Sequence, residues 1–580
     1  MPAELASRIA APLGPTALSV HDLAVLSRHV PTPRRRRRAQ DFVVGHLVMA
    51  DVGLGPLTLN QIDEALAGIA LTDALCLLAR MADDSDQAMG AAEKQVGLAF
   101  TYMPPQYALR AVRGCQESGA RVFSAQLPLL LARRALNVCP DEGSSTWHDN
   151  SCLLLTCWLL GMLAIAIGEM VPAAHTDEDL VLDLARAQHF FRVMHDLEYE
   201  DAYDVLFVAL PAAGTPVDLD EVVKARYGVT FRSLWAVTAL MSLSYLKDRE
   251  KARIVLDAVR PEVKQAWLDL WSMTPAQAAE DWAGDTSAAP WDLSRFFKHP
   301  VMDLGTAETG ANVYLPIRSA FLAEKAILNE ALWIVAELLP ADQRQALLAA
   351  AGRAFEEVAQ RRVKEFVGDP SRLLTEEQLK EWLGEPGGLC DLVVLYPDDW
   401  IAIEFVRHSL AKPTLTTGDY EDLRSDLEYG ALGELRQIDG TVSKMLRSGT
   451  IADPQHIIPV VVVGGHLSIN LLTYATVMAE LEGRGVQTLT IDPRCCPPAF
   501  LDLGDLRLAM LAAEQLHVTL AEVLREYLGS ELATMPFTFW LKDAHPIVAP
   551  QRAANTTFPE WLAAARQWAI GPNRPQVDDA

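Results

Sequence analysis

The chain has 580 residues, half of them hydrophobic, and a formal net charge of -26. That length exceeds one ordinary core and implies about two to four domains. So acidic a balance speaks against a surface that generally attracts nucleic acid or anionic membrane, which restricts any nucleic-acid site to a local basic patch. The eight cysteines (Cys76, Cys115, Cys139, Cys152, Cys157, Cys390, Cys495 and Cys496) show no CxxC and no zinc spacing. Free thiols in a reducing cytoplasm are the simplest account of them.

The opening stretch, MPAELASRIAAPLG, lacks the basic and continuous apolar regions of a signal peptide. An amphipathic helix is expected from His21 to His29. The basic run Arg34 to Arg38 follows two prolines and reads as a solvated loop or helix start. From about 41 to 335 the pattern is mostly helical, with an N-cap-like Thr58 and Asn60 opening a helix to Met81. Further periodic blocks span Tyr107 to Cys139, Asn150 to Val171, Glu178 to Glu198 and Arg232 to Ala258. Cys152 to Gly168 carries no charge and approaches bilayer-spanning length. Its flanks, Asp149 and Glu169, supply no Lys/Arg cluster, so a buried central helix and no membrane association are expected. A His/Asp patch (His175, Asp177, Asp179, His189, His195 and Asp196) lacks the spacing of helix-borne metal ligands, because His189 and His195 lie six apart. Trp235, Trp267, Trp271, Trp282 and Trp291 are expected in the core rather than stacked on bases.

From about 336 the order becomes helix, strand, strand, helix, strand, helix, strand, an α/β pattern. A long helix runs from Ala341 to Val367, and a short one lies near Thr375 to Trp382. Cys390 to His408 reads as two strands joined by Pro397 and Asp398. If the hairpin is symmetric about those two residues, Asp391 faces Glu404. An offset register sends the two carboxylates to different places. Facing carboxylates repel unless a cation lies between them, and hard divalent cations take carboxylate oxygens. A helix at Tyr420 to Arg447, a strand at 457–465, a helix at Leu467 to Glu482 and a final strand at 486–493 follow. Leu501 to Leu528 adds a helix pair.

AFEEV on the leading helix, CDLVVL, IAIEFV, ELRQID on the next helix and a buried strand together resemble the PD-(D/E)XK restriction-endonuclease-like superfamily. The resemblance spans about 345–495 and leaves the helical half unexplained. It implies a nuclease-like α/β domain with a central mixed sheet over 336–495; the residue pattern puts a helical domain of one or two sub-bundles over 1–335 before it and a C-terminal helical extension over 496–580 after it. By that resemblance Glu356 is the helix Glu, Asp391 the motif Asp, Glu404 the motif Glu and Gln437 the helix Gln. Mg²⁺ or Mn²⁺ is the implied cofactor, held by Asp391, Glu404 and Glu356. Val406 stands where the family has its lysine. Arg407 points to the opposite strand face unless a bulge re-aims it. Lys444, two turns after Gln437, is the replacement the family's precedent suggests, although with Arg436 and Arg447 it also reads as surface charge. Lys364 and Lys412 are weaker candidates.

The implied function is metal-dependent hydrolysis of phosphodiester bonds in DNA or RNA. The pairing with a large helical partner resembles bacterial defence and restriction components. The alternative is an inactive pseudonuclease, a scaffold that binds nucleic acid or protein. Nucleic acid would bind through a local basic groove of Arg361, Arg362, Lys364, Arg407, Arg436 and Lys444, and a protein partner through the helical half. Acidic residues exceed basic ones by roughly a dozen over 341–530, which opposes a strong grip on DNA.

Overall fold

A computed structural model describes residues 49–571, apart from 88–91, 119–121, 141–149, 170–181, 183–195, 284–292, 307–311, 385–387, 412–413, 415–418, 466–470, 534–536 and 549–559 and the single positions 125, 216, 248, 409, 450, 485, 487, 531 and 547. The expected helix at 21–29, the arginine run and the His residues of the His/Asp patch lie outside the described residues. The chain divides into two units: 1–175, 190–193 and 267–322 make one, and 176–189, 194–266 and 323–580 make the other.

The first unit is mainly helical. Thr58 caps the helix Leu59–Leu66 reciprocally with Gln61, satisfying two N–H groups that the helix start leaves orphaned. The block expected to reach Met81 in one piece breaks at Gly68, and a second helix runs Leu71–Gln87. Asn150–Glu169 is a helix whose second half, from Leu160 to Ile167, is buried in this unit's core. Among the described residues no single helix is long and apolar enough to cross a membrane. The helical expectation missed a small sheet here, β1 (Ser272–Met273), β2 (Val301–Thr306) and β3 (Asn312–Pro316), in the order β1-β2-β3.

The second unit holds a five-stranded sheet ordered β4-β5-β6-β7-β8. Its strands are β4 (Leu373–Thr375), β5 (Leu392–Leu395), β6 (Asp399–Val406), β7 (His456–Val463) and β8 (Ala499–Asp502). The first three are antiparallel and the last three parallel, so the sheet is mixed. Helices of this unit include α1 (Asp196–Tyr203), α2 (Phe231–Lys247), α3 (Leu328–Ala336), α4 (Ala341–Val367), α5 (Glu376–Leu383), α6 (Tyr420–Leu427), α7 (Gly433–Ser448), α8 (Leu471–Gly483), α9 (Leu503–Leu516) and α10 (Leu520–Leu528), of which α4, α5, α7, α9 and α10 pack directly on the sheet. Strands β6 and β7 are buried along nearly their whole length, as a central strand covered on both faces requires. One strand expectation is corrected: 486–493 contains a short helix, Thr488–Ile491, and the edge position belongs to β8. Asp439 Oδ1 accepts from Leu489 N at 2.8 Å and holds that helix start. Trp235, Trp267 and Trp271 are buried, and Trp235 Nε1 donates to Ala326 O at 2.7 Å, so all three are core residues. The seven described cysteines are free thiols.

An ionic network ties α1 to α9. Arg507 donates to Asp201 Oδ1 at 2.7 Å and to Glu200 Oε2 at 2.9 Å, and its side chain is only 7% exposed. Burial pushes the Asp201 carboxyl up to about 6, against the pull of the Arg507 charge. Removing Arg507 strands a buried carboxylate. Arg507→Met is therefore expected to lower stability by about 3–5 kcal/mol. Arg494→Met, which breaks a more exposed pair with Asp492, costs less than about 1 kcal/mol. Urea unfolding followed by tryptophan fluorescence compares the two.

Candidate active site

The pairs of β5 and β6 run from Leu395↔Trp400 to Leu392↔Ile403, so the next pair in that register is Asp391 with Glu404. The hairpin is symmetric about Pro397 and Asp398, and the symmetric alternative of the sequence analysis is the one the structure adopts. Asp391 is fixed at two points. Its carbonyl accepts from Glu376 N at 3.1 Å, and its Oδ2 accepts from Phe405 N at 2.8 Å. Next door, Cys390 N donates to Thr441 Oγ1 at 2.8 Å, and that hydroxyl donates to Gln437 O at 2.9 Å. The β5 start is thereby clamped to both α5 and α7.

Glu404 is 3% exposed. Its Oε1 is buried and receives no hydrogen bond from any described donor. Burial, then the Asp391 charge and the carboxyl–carboxyl hydrogen bond, push Glu404 up to about 12. The pair therefore keeps one proton at neutral pH, the usual outcome for two acids sharing a desolvated site. Burial also raises Asp391, with hydrogen bonds from Glu404 and Phe405 N pulling the other way.

Two further carboxyls act on the pair. Glu356, half-buried on α4, is raised to about 7 by burial and then by Asp391. Its Oε1 accepts from Gln360 Nε2 at 3.0 Å, and Gln360 Oε1 accepts from Lys364 Nζ at 3.0 Å, a chain along one helix face. Glu434, in the first turn of α7, is raised by burial and by Asp391, and adds to the field on Glu404. Gln437 Nε2 donates to Glu434 Oε2 at 2.9 Å. Glu434 escaped the sequence analysis, although it lies three residues before Gln437 on the same helix face. Its signal was that spacing. Glu434 and Gln437 line an open pocket of about 460 Å³ together with Gly388, Glu428, Tyr429, Gly433 and Arg436.

Cations are scarce around these acids. Val406, at the motif-lysine position, is half-buried and packs against the hydrophobic core. Arg407 donates from Nη1 to Asn329 Oδ1 at 2.7 Å, and burial lowers its pKa to about 10. Lys444 lies half-buried on α7. Two other lysines act on the cluster: Lys364 on Glu356, and Lys380, which is partly exposed and paired to Glu376 at 2.7 Å, on Asp391. The expected basic groove is largely spent on ion pairs. Arg361 and Arg362 pair with Asp204, and Arg436 pairs with Glu428.

Among the described residues no group of three or more His, Cys, Asp or Glu side chains is placed to hold a metal ion. Asp391 and Glu404 come together, while Glu356 and Glu434 stand at the distance of electrostatic influence. No protein-family model, curated protein or solved structure matches the chain.

The carboxyl pair sets a pH dependence. A free Glu titrates near ~4.3, whereas folded Glu404 keeps its proton up to about 12. The folded state then binds more protons than the unfolded one, so the contribution is full below pH ~4.3 and is lost as pH rises. Glu356 adds a slope of the same sign between ~4.3 and about 7. Glu404→Gln keeps the shape and removes the proton cost. Measured by urea midpoints in EDTA, its stability gain over the parent is expected to grow from pH 5 to pH 8 by up to roughly 1.4 kcal/mol per pH unit. A loss at pH 8 would contradict the protonated pair.

Proposed function

We propose that the second unit carries a nuclease-like centre of the PD-(D/E)XK type, hydrolysing phosphodiester bonds with a divalent cation held by Asp391 and Glu404. One observation carries this proposal: the two carboxyls lie opposite in register, desolvated, on adjacent strands of a mixed sheet. Buried like charges cost free energy without a compensating cation or proton. The donor set fits a hard cation, because it is all oxygen and includes the orphaned Glu404 Oε1. Glu356 or Glu434 becomes a third ligand only after a side-chain movement.

When bound, Mg²⁺ or Mn²⁺ neutralises phosphate charge and lowers the pKa of an attacking water. The chain's own residues do the rest. Asp391 is oriented by Phe405 N, and with Glu404 it would hold the cation once the proton they share has left. Glu356 has Oε1 engaged by Gln360, which leaves Oε2 to take a proton, and a carboxyl raised to about 7 is matched to that task near neutral pH. Gln437 orients Glu434 at the pocket wall. Lys364 and Lys380 supply the positive charge near the acids that Val406 cannot.

A second reading has its own support. Val406 sits against the core and Arg407 is engaged by Asn329, so neither supplies the cation that the family places at the end of this strand. That favours a pseudonuclease, a binding scaffold that keeps the fold without turnover.

Cleavage of labelled DNA and RNA with Mg²⁺ or Mn²⁺ separates the two. The nuclease reading expects activity that Asp391→Asn and Glu404→Ala each reduce roughly 100-fold or more, together with calorimetric Mn²⁺ binding that both variants lose. Nucleic-acid binding without cleavage supports the scaffold. A parent protein that neither cleaves nor binds metal overturns the nuclease.

A further inference from the structure

The pocket beside the acids has a feature that the proposed chemistry leaves unused. Tyr429 is 69% exposed and stands on the pocket wall with Glu434 and Gln437. It sits in a π-turn, Glu428–Leu432, between α6 and α7. Single π-turns inside helices are rare and concentrate at functional sites. Gly433 closes the turn, where a Cβ would approach Glu428 O to 3.2 Å, so a side chain there would crowd the turn that presents Tyr429. Glu428 is itself braced by Arg436 and by Arg484, the latter at 2.6 Å. The aromatic ring is therefore offered to solvent from a braced, irregular turn.

Resting on the nuclease reading, we propose that Tyr429 is a base-stacking residue and that the substrate is single-stranded nucleic acid, or a strand with an unpaired base beside the scissile phosphate. Two observations converge on this. First, an exposed aromatic face next to the acid cluster stacks any nucleobase, provided that the base is not already stacked in a duplex. Second, Arg361, Arg362 and Arg436 are engaged by carboxylates and Arg407 by Asn329. A duplex held through many phosphate contacts needs cations of that kind to be available. With few of them, affinity has to come from stacking and from the metal-bridged phosphate. Gly388 leaves open space at the pocket wall, with nothing within 4 Å of where a Cβ would stand.

The test is fluorescence anisotropy of the full-length protein with labelled single-stranded DNA and RNA and with a duplex of the same sequence, in Ca²⁺ across a salt series. Expected results are tighter binding to single strands than to the duplex and a shallow salt dependence. Tyr429→Ala should weaken single-strand binding roughly 10-fold or more, with Tyr429→Phe remaining within about 2-fold of the parent. Because Tyr429 is exposed, unchanged urea midpoints in both variants show that the loss is not unfolding. Equal or tighter duplex binding, or an unchanged Tyr429→Ala, overturns the stacking role even where the parent cleaves. A parent that binds no nucleic acid and cleaves none overturns the nuclease reading itself.

Discussion

The second unit is organised around one electrostatic constraint: two carboxyls forced to face each other across adjacent strands, away from water. Register makes the meeting unavoidable. Once the hairpin turns at Pro397 and Asp398, Leu392 pairs with Ile403 and Asp391 arrives opposite Glu404. Backbone contacts then leave Asp391 little freedom, since Glu376 N and Phe405 N both hold it. Glu404 has the lesser freedom still, buried in a strand between Trp400, Ile401, Ala402 and Ile403 on one side and Phe405 on the other. Such a pair is stable only with a shared proton or a shared cation.

The surroundings sharpen that choice. Glu356 and Glu434 add negative potential from the two helices that flank the hairpin, and both are themselves raised above the usual carboxylate range. Among the described residues, Lys364 and Lys380 bring positive charge to the margin of the acids, while Arg361, Arg362 and Arg436 are paired with other carboxylates. The field at the centre is therefore one that welcomes a small divalent cation and repels an unaccompanied phosphate. On the proposed function, a cation at Asp391 and Glu404 would have to be in place before a phosphate could approach them.

Much of this was legible in the sequence, and the reasons for the misses are physical. Long periodic segments such as Ala341–Val367 and the VVVV strand announce themselves because every turn or residue repeats the signal. The hairpin was readable from its turn residues, and its symmetry gave the carboxyl pairing. Short elements were not readable: β8 has only four residues, β4 three and β1 two, too few to display a period of two. VQTLTIDP is rich in β-branched residues, yet Asp439 caps a helical turn there, a tertiary contact that overrides propensity. Val406 was visible as the departure from the motif. Of the two lysines that act on the acids, Lys364 was among the weaker candidates in the sequence, whereas Lys380 was missed because its effect depends on where α5 brings it. Glu434 was within reach of the same helix-face logic that selected Gln437. Tyr429 was hidden by a π-turn, which no regular periodicity predicts.

The most direct test of the central claim is a crystal soaked in Mn²⁺ and measured at the manganese absorption edge. The account predicts an anomalous peak between the carboxylates of Asp391 and Glu404, within ligand distance of both, with the carboxyl–carboxyl hydrogen bond gone. A map with no peak there, and the two side chains still sharing their proton, would contradict it.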